Sequence, residues 1–197
     1  MITILNIKQE WTILGETLNP LTSQKIEKLG LRLETIDFLK NCGLPNHSAP
    51  MLSFVKNSEN ESDSINKLSD LFELSIEFDK YITIGFDGSG NPIVINTANN
   101  DQIELLDHEE NFESLAIVNF NIYSFSASLI SYNLFIKTII EENGDDAFLE
   151  ANFSDKQFDV LRNKLFEIES HSAKFGFWKT ELDFLISDRD YNRKNIT

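Results

Sequence analysis

Residues 81–96 read YITIGFDGSGNPIVIN, two apolar runs joined by a segment of Asp, Gly, Ser, Asn and Pro. Ile82, Ile84 and Phe86 recur at every second position, which puts them on one face of an extended strand, and Ile93 to Ile95 supply its partner. Two such runs across a Gly-rich turn predict an antiparallel hairpin, with Gly88 and Gly90 taking the positive φ that tight turns need.

Outward from this hairpin the pattern continues as a meander. Residues 102–106 form a further strand after the turn residues Asn99, Asn100 and Asp101, and residues 115–118 another that ends at Asn119. Before the hairpin, Phe72, Leu74, Ile76 and Phe78 alternate with Glu73, Ser75 and Glu77, the period-two signature of a strand with one wet face. Residues 46–69 are rich in Ser, Asn, Asp and Glu and read as a long surface connection that touches the core once, at Met51, Leu52, Phe54 and Val55.

Helical spacing appears on both sides of the meander. Leu33, Ile36, Phe38 and Leu39 predict a helix over 33–42, ended by Gly43 and kept from resuming by Pro45. Phe125, Leu129, Tyr132, Ile136 and Ile139 mark one side of a helix over 124–141, stopped by Gly144. Ser154 with Gln157 resembles a capping box opening a helix with Phe158, Leu161, Leu165 and Ile168 on its apolar face. A last amphipathic segment covers 178–186. The expected fold is α+β: a single domain over 1–187, with a mostly antiparallel central sheet, helices packed against it, and a polar tail over 188–197.

Charge narrows the function classes. The 197 residues carry 17 basic and 32 acidic side chains, a formal charge of −15. That balance opposes direct nucleic-acid binding, which rests on Lys and Arg displacing counterions from phosphates, and it opposes anionic membrane surfaces. It favours encounter with a basic protein, at a rate that falls as salt is added. The acid is concentrated: residues 81–136 contain no Lys or Arg, and their seven carboxylates all precede Leu115. Asp87, Asp101, Glu104, Asp107, Glu109 and Glu110 lie in or beside the strands and turns of the meander and are the candidate partner-binding residues. The bland alternative is that the charge serves solubility alone.

Motifs for chemistry are absent or fail on spacing. Asp87, Ser89 and Asn91 match the first ligands of a calcium loop, but Pro92 and Ala98 stand where such a loop needs Gly and Glu. No Lys-Ser/Thr follows the glycines as in a phosphate-binding loop, and Ser89 lacks the preceding Gly of a nucleophile elbow. His47, His108 and His171 are far apart, without the spacing of a zinc site. His108, among Asp107, Glu109 and Glu110, is the one imidazole placed to act as a weak pH sensor or as part of an interface, the bland and favoured alternative being a solvated turn. Cys42, the only cysteine, reads as a buried small hydrophobe. Trp11 and Trp178 are core residues by default and interface anchors in the alternative reading. No cofactor or metal is expected. The first residues lack a signal-peptide pattern and no apolar run approaches the ~20 residues that span a bilayer, so a soluble cytoplasmic protein is expected.

The order of these pieces resembles the SUKH superfamily, which includes cell-wall assembly regulators and many bacterial immunity proteins. Phe38-Leu39-Lys40-Asn41-Cys42-Gly43-Leu44-Pro45 is similar to its helix with a Gly-Leu-Pro-like stop, and residues 81–92 are similar to its Ile-Gly strand and turn. Residues 103–107, then Val118-Asn119-Phe120 leading into the helix of Phe125, Leu129 and Tyr132, look most like the fourth SUKH immunity subfamily. The resemblance covers residues 33–140. It implies a central antiparallel sheet with packed helices and a non-catalytic role, binding and neutralising a cognate toxin domain, often a nuclease or deaminase with a basic substrate groove. The regulator branch implies the alternative, an intracellular scaffold with no toxin partner. The long 46–69 connection has no place in the family pattern.

Overall fold

The hairpin of residues 81–96 becomes the centre of the sheet. The computed structural model describes residues 3–22, 24–58, 60 and 63–195. Strands β6 (Tyr81–Phe86) and β7 (Pro92–Asn96) pair antiparallel with Ile82 opposite Ile95. β8 (Gln102–Asp107) adds to β7 and β9 (Glu113–Asn119) to β8, also antiparallel, as the meander predicts. Gly90 takes a φ of 87°, whereas Gly88 keeps φ outside the left-handed region; its smallness instead leaves room for Met51.

The 46–69 segment is more than a surface connection. It supplies β3 (His47–Ser48), β4 (Leu52–Phe54) and β5 (Asn66–Lys67), following the small β1 (Leu18–Asn19) and β2 (Leu44–Pro45) pair. β4 and β5 pair one after the other along the same edge of β6, giving the order β3-β4-β6-β7-β8-β9 with β5 beside β6. Leu52, Phe54, Val55 and Ile65 are buried, while Met51 is exposed. Strands of two or three residues are too short to display alternation, so only the polar composition of the segment shows in the sequence. Gly85 makes the junction possible: a Cβ there would lie 2.3 Å from the Ser53 carbonyl oxygen.

Residues 72–78 do not form the expected strand. They leave a short helix α3 (Leu68–Phe72) and enter a 3-10 turn (Ile76–Lys80). The apolar residues cover the second face of the sheet, where Leu74 and Phe78 pack on Leu68, Tyr81, Val94, Leu106 and Phe112, while Ile76 stays in solvent. Asp79 accepts from Ser69 Oγ (2.6 Å) and from Lys67 Nζ, and the Lys67 contact, then the Ser69 bond, hold its carboxyl below the usual range. A tertiary surface and these local bonds override the weak strand signal.

Helices cover the first face. α1 (Ile4–Leu14), α2 (Leu33–Asn41), α4 (Ile122–Asn143), α5 (Asp155–Ile168), α6 (Ser170–Phe175) and α7 (Phe177–Asn195) follow in chain order around the strands. The main core joins Ile82, Ile84, Ile93 and Ile95 to Phe125 and Leu129 of α4. Cys42 belongs to this core, and burial pushes its thiol up to about 11. Ser154 and Gln157 form the predicted capping box. The expected polar tail is helical through Asn195, the last described residue. Its anchor is Arg189, buried with its guanidinium over the Phe153 ring and 2.8 Å from Asp155. One long cation, with its stem and charge both packed, takes the place of the apolar residues that this polar segment lacks.

The corner between β9 and α4 ties sheet to helices. Trp178 Nε1 donates to Asn119 Oδ1 (2.9 Å), and Asn119 Nδ2 donates to Ser128 Oγ and Glu169 Oε2, both at 3.3 Å. Glu169 also accepts from the Phe120 amide (2.8 Å) and Ser124 Oγ (2.9 Å), while Ser172 Oγ donates to the Val118 carbonyl (2.6 Å). Both tryptophans are core residues: Trp11 is fully buried and donates to Ser126 Oγ, so neither is free to anchor a partner.

Gly43 ends α2 with φ 72°, and a Cβ there would sit 2.1 Å from the Asn19 carbonyl oxygen. Gly43→Ala is expected to cost about 3 kcal/mol through clash and strain together, a fall of about 6–12 °C in Tm by calorimetry. Gly15→Ala, at positive φ with open space around it, is expected to cost only about 1 kcal/mol.

Candidate functional site

An antiparallel meander sends alternate turns to opposite ends of the sheet, and this sorts the acidic residues. The β6–β7 turn and the β8–β9 turn share one end; the turn of residues 97–101 lies at the other. Asn91 joins the first two. Its Nδ2 donates to Asp87 Oδ2 (3.1 Å), which orients the amide so that Oδ1 accepts from the His108 amide (3.2 Å). His108 Nδ1 lies 2.8 Å from the same oxygen and therefore carries a proton. The result is one rim holding Asp87, Asp107, His108, Glu109 and Glu110, with Glu113 beside them, since it pairs with Asp107 across the ladder.

Two of these carboxylates shape the rim. Asp87 Oδ1 accepts from the amides of Ser89 and Asn91, each at 2.8 Å, and Asp107 Oδ1 accepts from those of Glu109 (2.9 Å) and Glu110 (3.3 Å). Both are half-buried turn-holders. The calcium-like look of residues 87–91 comes from this role, the Asp oxygens being bonded to the turn's own donors. Glu109, Glu110 and Glu113 are exposed. Among the described residues, every ion pair lies elsewhere, so no Lys or Arg neutralises the rim.

Asp101 and Glu104 do not belong to this surface. Asp101 is 1% exposed at the opposite end, where its carboxylate accepts from the Arg32 amide (2.7 Å) and caps the start of α2. Glu104 is 4% exposed in mid-strand, accepting from Asn96 Nδ2 (2.7 Å). Sequence proximity to the other acids suggested a shared rim; strand alternation and the meander's reversal send these two inward.

One rim residue comes from far along the chain. Glu181 of α7 is half-buried, and desolvation, then the negative charge of Asp87, push its carboxyl up to about 7. Burial first, and then the negative charge of Glu181, raise the Tyr132 hydroxyl. A signal existed: Glu181 falls three residues after Trp178 and four before Leu185, on the apolar face of its own helix. Among the described residues no group of three His, Cys, Asp or Glu side chains is placed to hold a metal ion. His171 is remote from the rim and stacks on Phe120 at 5.3 Å between ring centroids.

No helix among the described residues is long and apolar enough to cross a membrane. No family model, curated protein or solved structure matches the chain.

Glu181 has a folded-state pKa near 7 against an ordinary value of 4.5, so the folded protein holds this proton more tightly than the unfolded chain. Stability is therefore expected to fall as pH rises from about 5 to about 8, by on the order of 2 kcal/mol after allowing for partial exposure. Glu27 and Asp79, held low by Lys40 and Lys67, act only below their ordinary values of 4.5 and 3.8. Denaturant melts of Glu181→Gln should flatten the dependence in this window; an unchanged slope would assign it to another group.

Proposed function

We propose that this chain is a non-catalytic, cytoplasmic immunity protein, a distant member of the SUKH group, that binds a basic toxin domain through the acidic rim. The observation that carries this reading is the un-neutralised rim itself: Asp87, Asp107, Glu109, Glu110, Glu113 and Glu181 converge from three separate segments with no described cation paired to them. A net charge of −15 supplies long-range attraction for a basic domain, and the rim supplies its direction. A toxin that grips nucleic acid carries a basic groove, and a row of carboxylates competes for it with the phosphate backbone. The α+β framework, with the Gly43 stop and the Ile84-Gly85 strand in the order the resemblance requires, supports the family reading.

The backbone of the rim is braced by hydrogen bonds, which limits the backbone entropy lost on binding. Its two turns are held by the Asp87 and Asp107 carboxylates and joined through Asn91 and His108. Raising pH through 7 ionises Glu181, so attraction for a basic partner strengthens in that direction.

The experiment is to isolate a basic toxin domain that co-purifies with this chain and to measure its association by stopped flow. Reversal of Glu109, Glu110 and Glu113 to Lys is expected to slow association about tenfold or more at low salt and to remove most of the salt dependence. These side chains are exposed, so the fold should persist by circular dichroism. An association rate and salt slope equal to those of the unaltered protein would exclude the rim as the binding surface.

A further inference from the structure

Away from the rim, α1 and α5 stand on either side of α4 and leave a groove of about 1290 Å³ between them. It exceeds the ~300–1,000 Å³ of ordinary small-molecule clefts. Its floor is apolar, with Ile130, Leu134 and Phe135 of α4, and the hydroxyls beside them are already spent. Ser131 Oγ donates back to the Ala127 carbonyl (2.9 Å) and Thr138 Oγ1 to that of Leu134 (2.8 Å). The floor itself offers a polar ligand little to bond, while the charged and amide side chains stand on the walls, so a second surface of mixed character finds shape and partners.

The charge on this groove differs from that of the rest of the protein. Glu10, Glu142 and Glu167 are balanced by Lys156, Lys164 and Arg193 among the lining residues, on a chain of net charge −15. Two copies repel one another over most of their surface, so a balanced face is where they can meet.

The α5 wall is also self-complementary. Lys156, Val160, Asn163 and Glu167 line the groove at steps of four, three and four, the spacing of a helix–helix seam, and Val160 is 65% exposed. If two copies of α5 run antiparallel about a two-fold axis between Leu161 and Arg162, Lys156 meets Glu167 of the second copy and Val160 meets its Asn163. Within one copy Asp159 touches Arg162 (2.9 Å) and Lys164 touches Glu167 (3.4 Å), exposed contacts that are weak and exchangeable.

We propose that the protein forms an isologous dimer in which the α5 helices pack antiparallel and each copy roofs the other's groove. Such an interface repeats every contact twice about the axis, which is how closed pairs arise. Asn163 in the seam fixes the register at some cost in affinity, as polar seam residues do in coiled coils. The proposal is independent of the toxin-binding reading, since no groove residue used here belongs to the acidic rim.

Sedimentation velocity over a concentration series tests it. The unaltered protein is expected to show a concentration-dependent monomer–dimer equilibrium. Lys156→Glu and Glu167→Lys, taken singly, should each weaken the dimer about tenfold or more, and the double exchange should restore it. Val160→Asp should weaken it too, while the rim reversals should leave it intact. Monomer at every concentration, or a dimer unaffected by both single exchanges, would overturn the proposal, as would single effects that fail to compensate.

Discussion

The structure depends on satisfying one buried amide. Asn119 is fully buried where the last strand of the sheet turns into its longest helix, and its side chain has to find both donors and acceptors there. An unsatisfied buried polar group costs about 1–3 kcal/mol. Asn119 avoids this by drawing in α7 through Trp178, α4 through Ser128 and the α5–α6 junction through Glu169. The C-terminal helices are held at this corner by directional bonds as well as by burial. Gly176, whose Cβ would lie 2.3 Å from the Ile117 carbonyl oxygen, lets the α6–α7 joint approach the strand.

That docking has an electrostatic consequence for the candidate site. With Trp178 fixed, Glu181 is carried on the next turn of α7 toward Tyr132 and Asp87, where a carboxylate is both partly desolvated and faced by like charge. The rim therefore combines turns from the meander with a helix whose position is set by a residue of β9. The meander turns are held by Asp87 and Asp107 bonding their own amides, and α7 by the Asn119 corner at the other end of β9, so a surface of repelling charges is kept in place without intervening cations.

Much of the framework was legible because it follows from periodicity. Alternation in 82–86 and 93–95 marked the hairpin, three- and four-residue steps marked α4 and α5, and Gly43, Gly144 and Ser154 marked helix ends. Each is a local signal with a local cause. The failures are equally physical. β3, β4 and β5 are too short to carry a period; residues 72–78 carry one that was overridden when their apolar side chains found the second face of the sheet. The terminal segment looked unpacked because an Arg, not a Leu, fills its place against Phe153.

The site was half legible for the same reason. The sequence by itself determined that acid is concentrated in residues 87–113, that the chain is strongly negative, and that strands and turns carry those charges, since composition and alternation are properties of neighbours along the chain. Only the tertiary structure decided which carboxylates meet. Reversal of the chain at each turn placed Asp87 with Asp107 and sent Asp101 to the far end, the pleat turned Glu104 inward, and the docking of α7 brought in Glu181. Convergence is a property of distance in space, and chain order constrains it only after the strands have paired and the helices have docked.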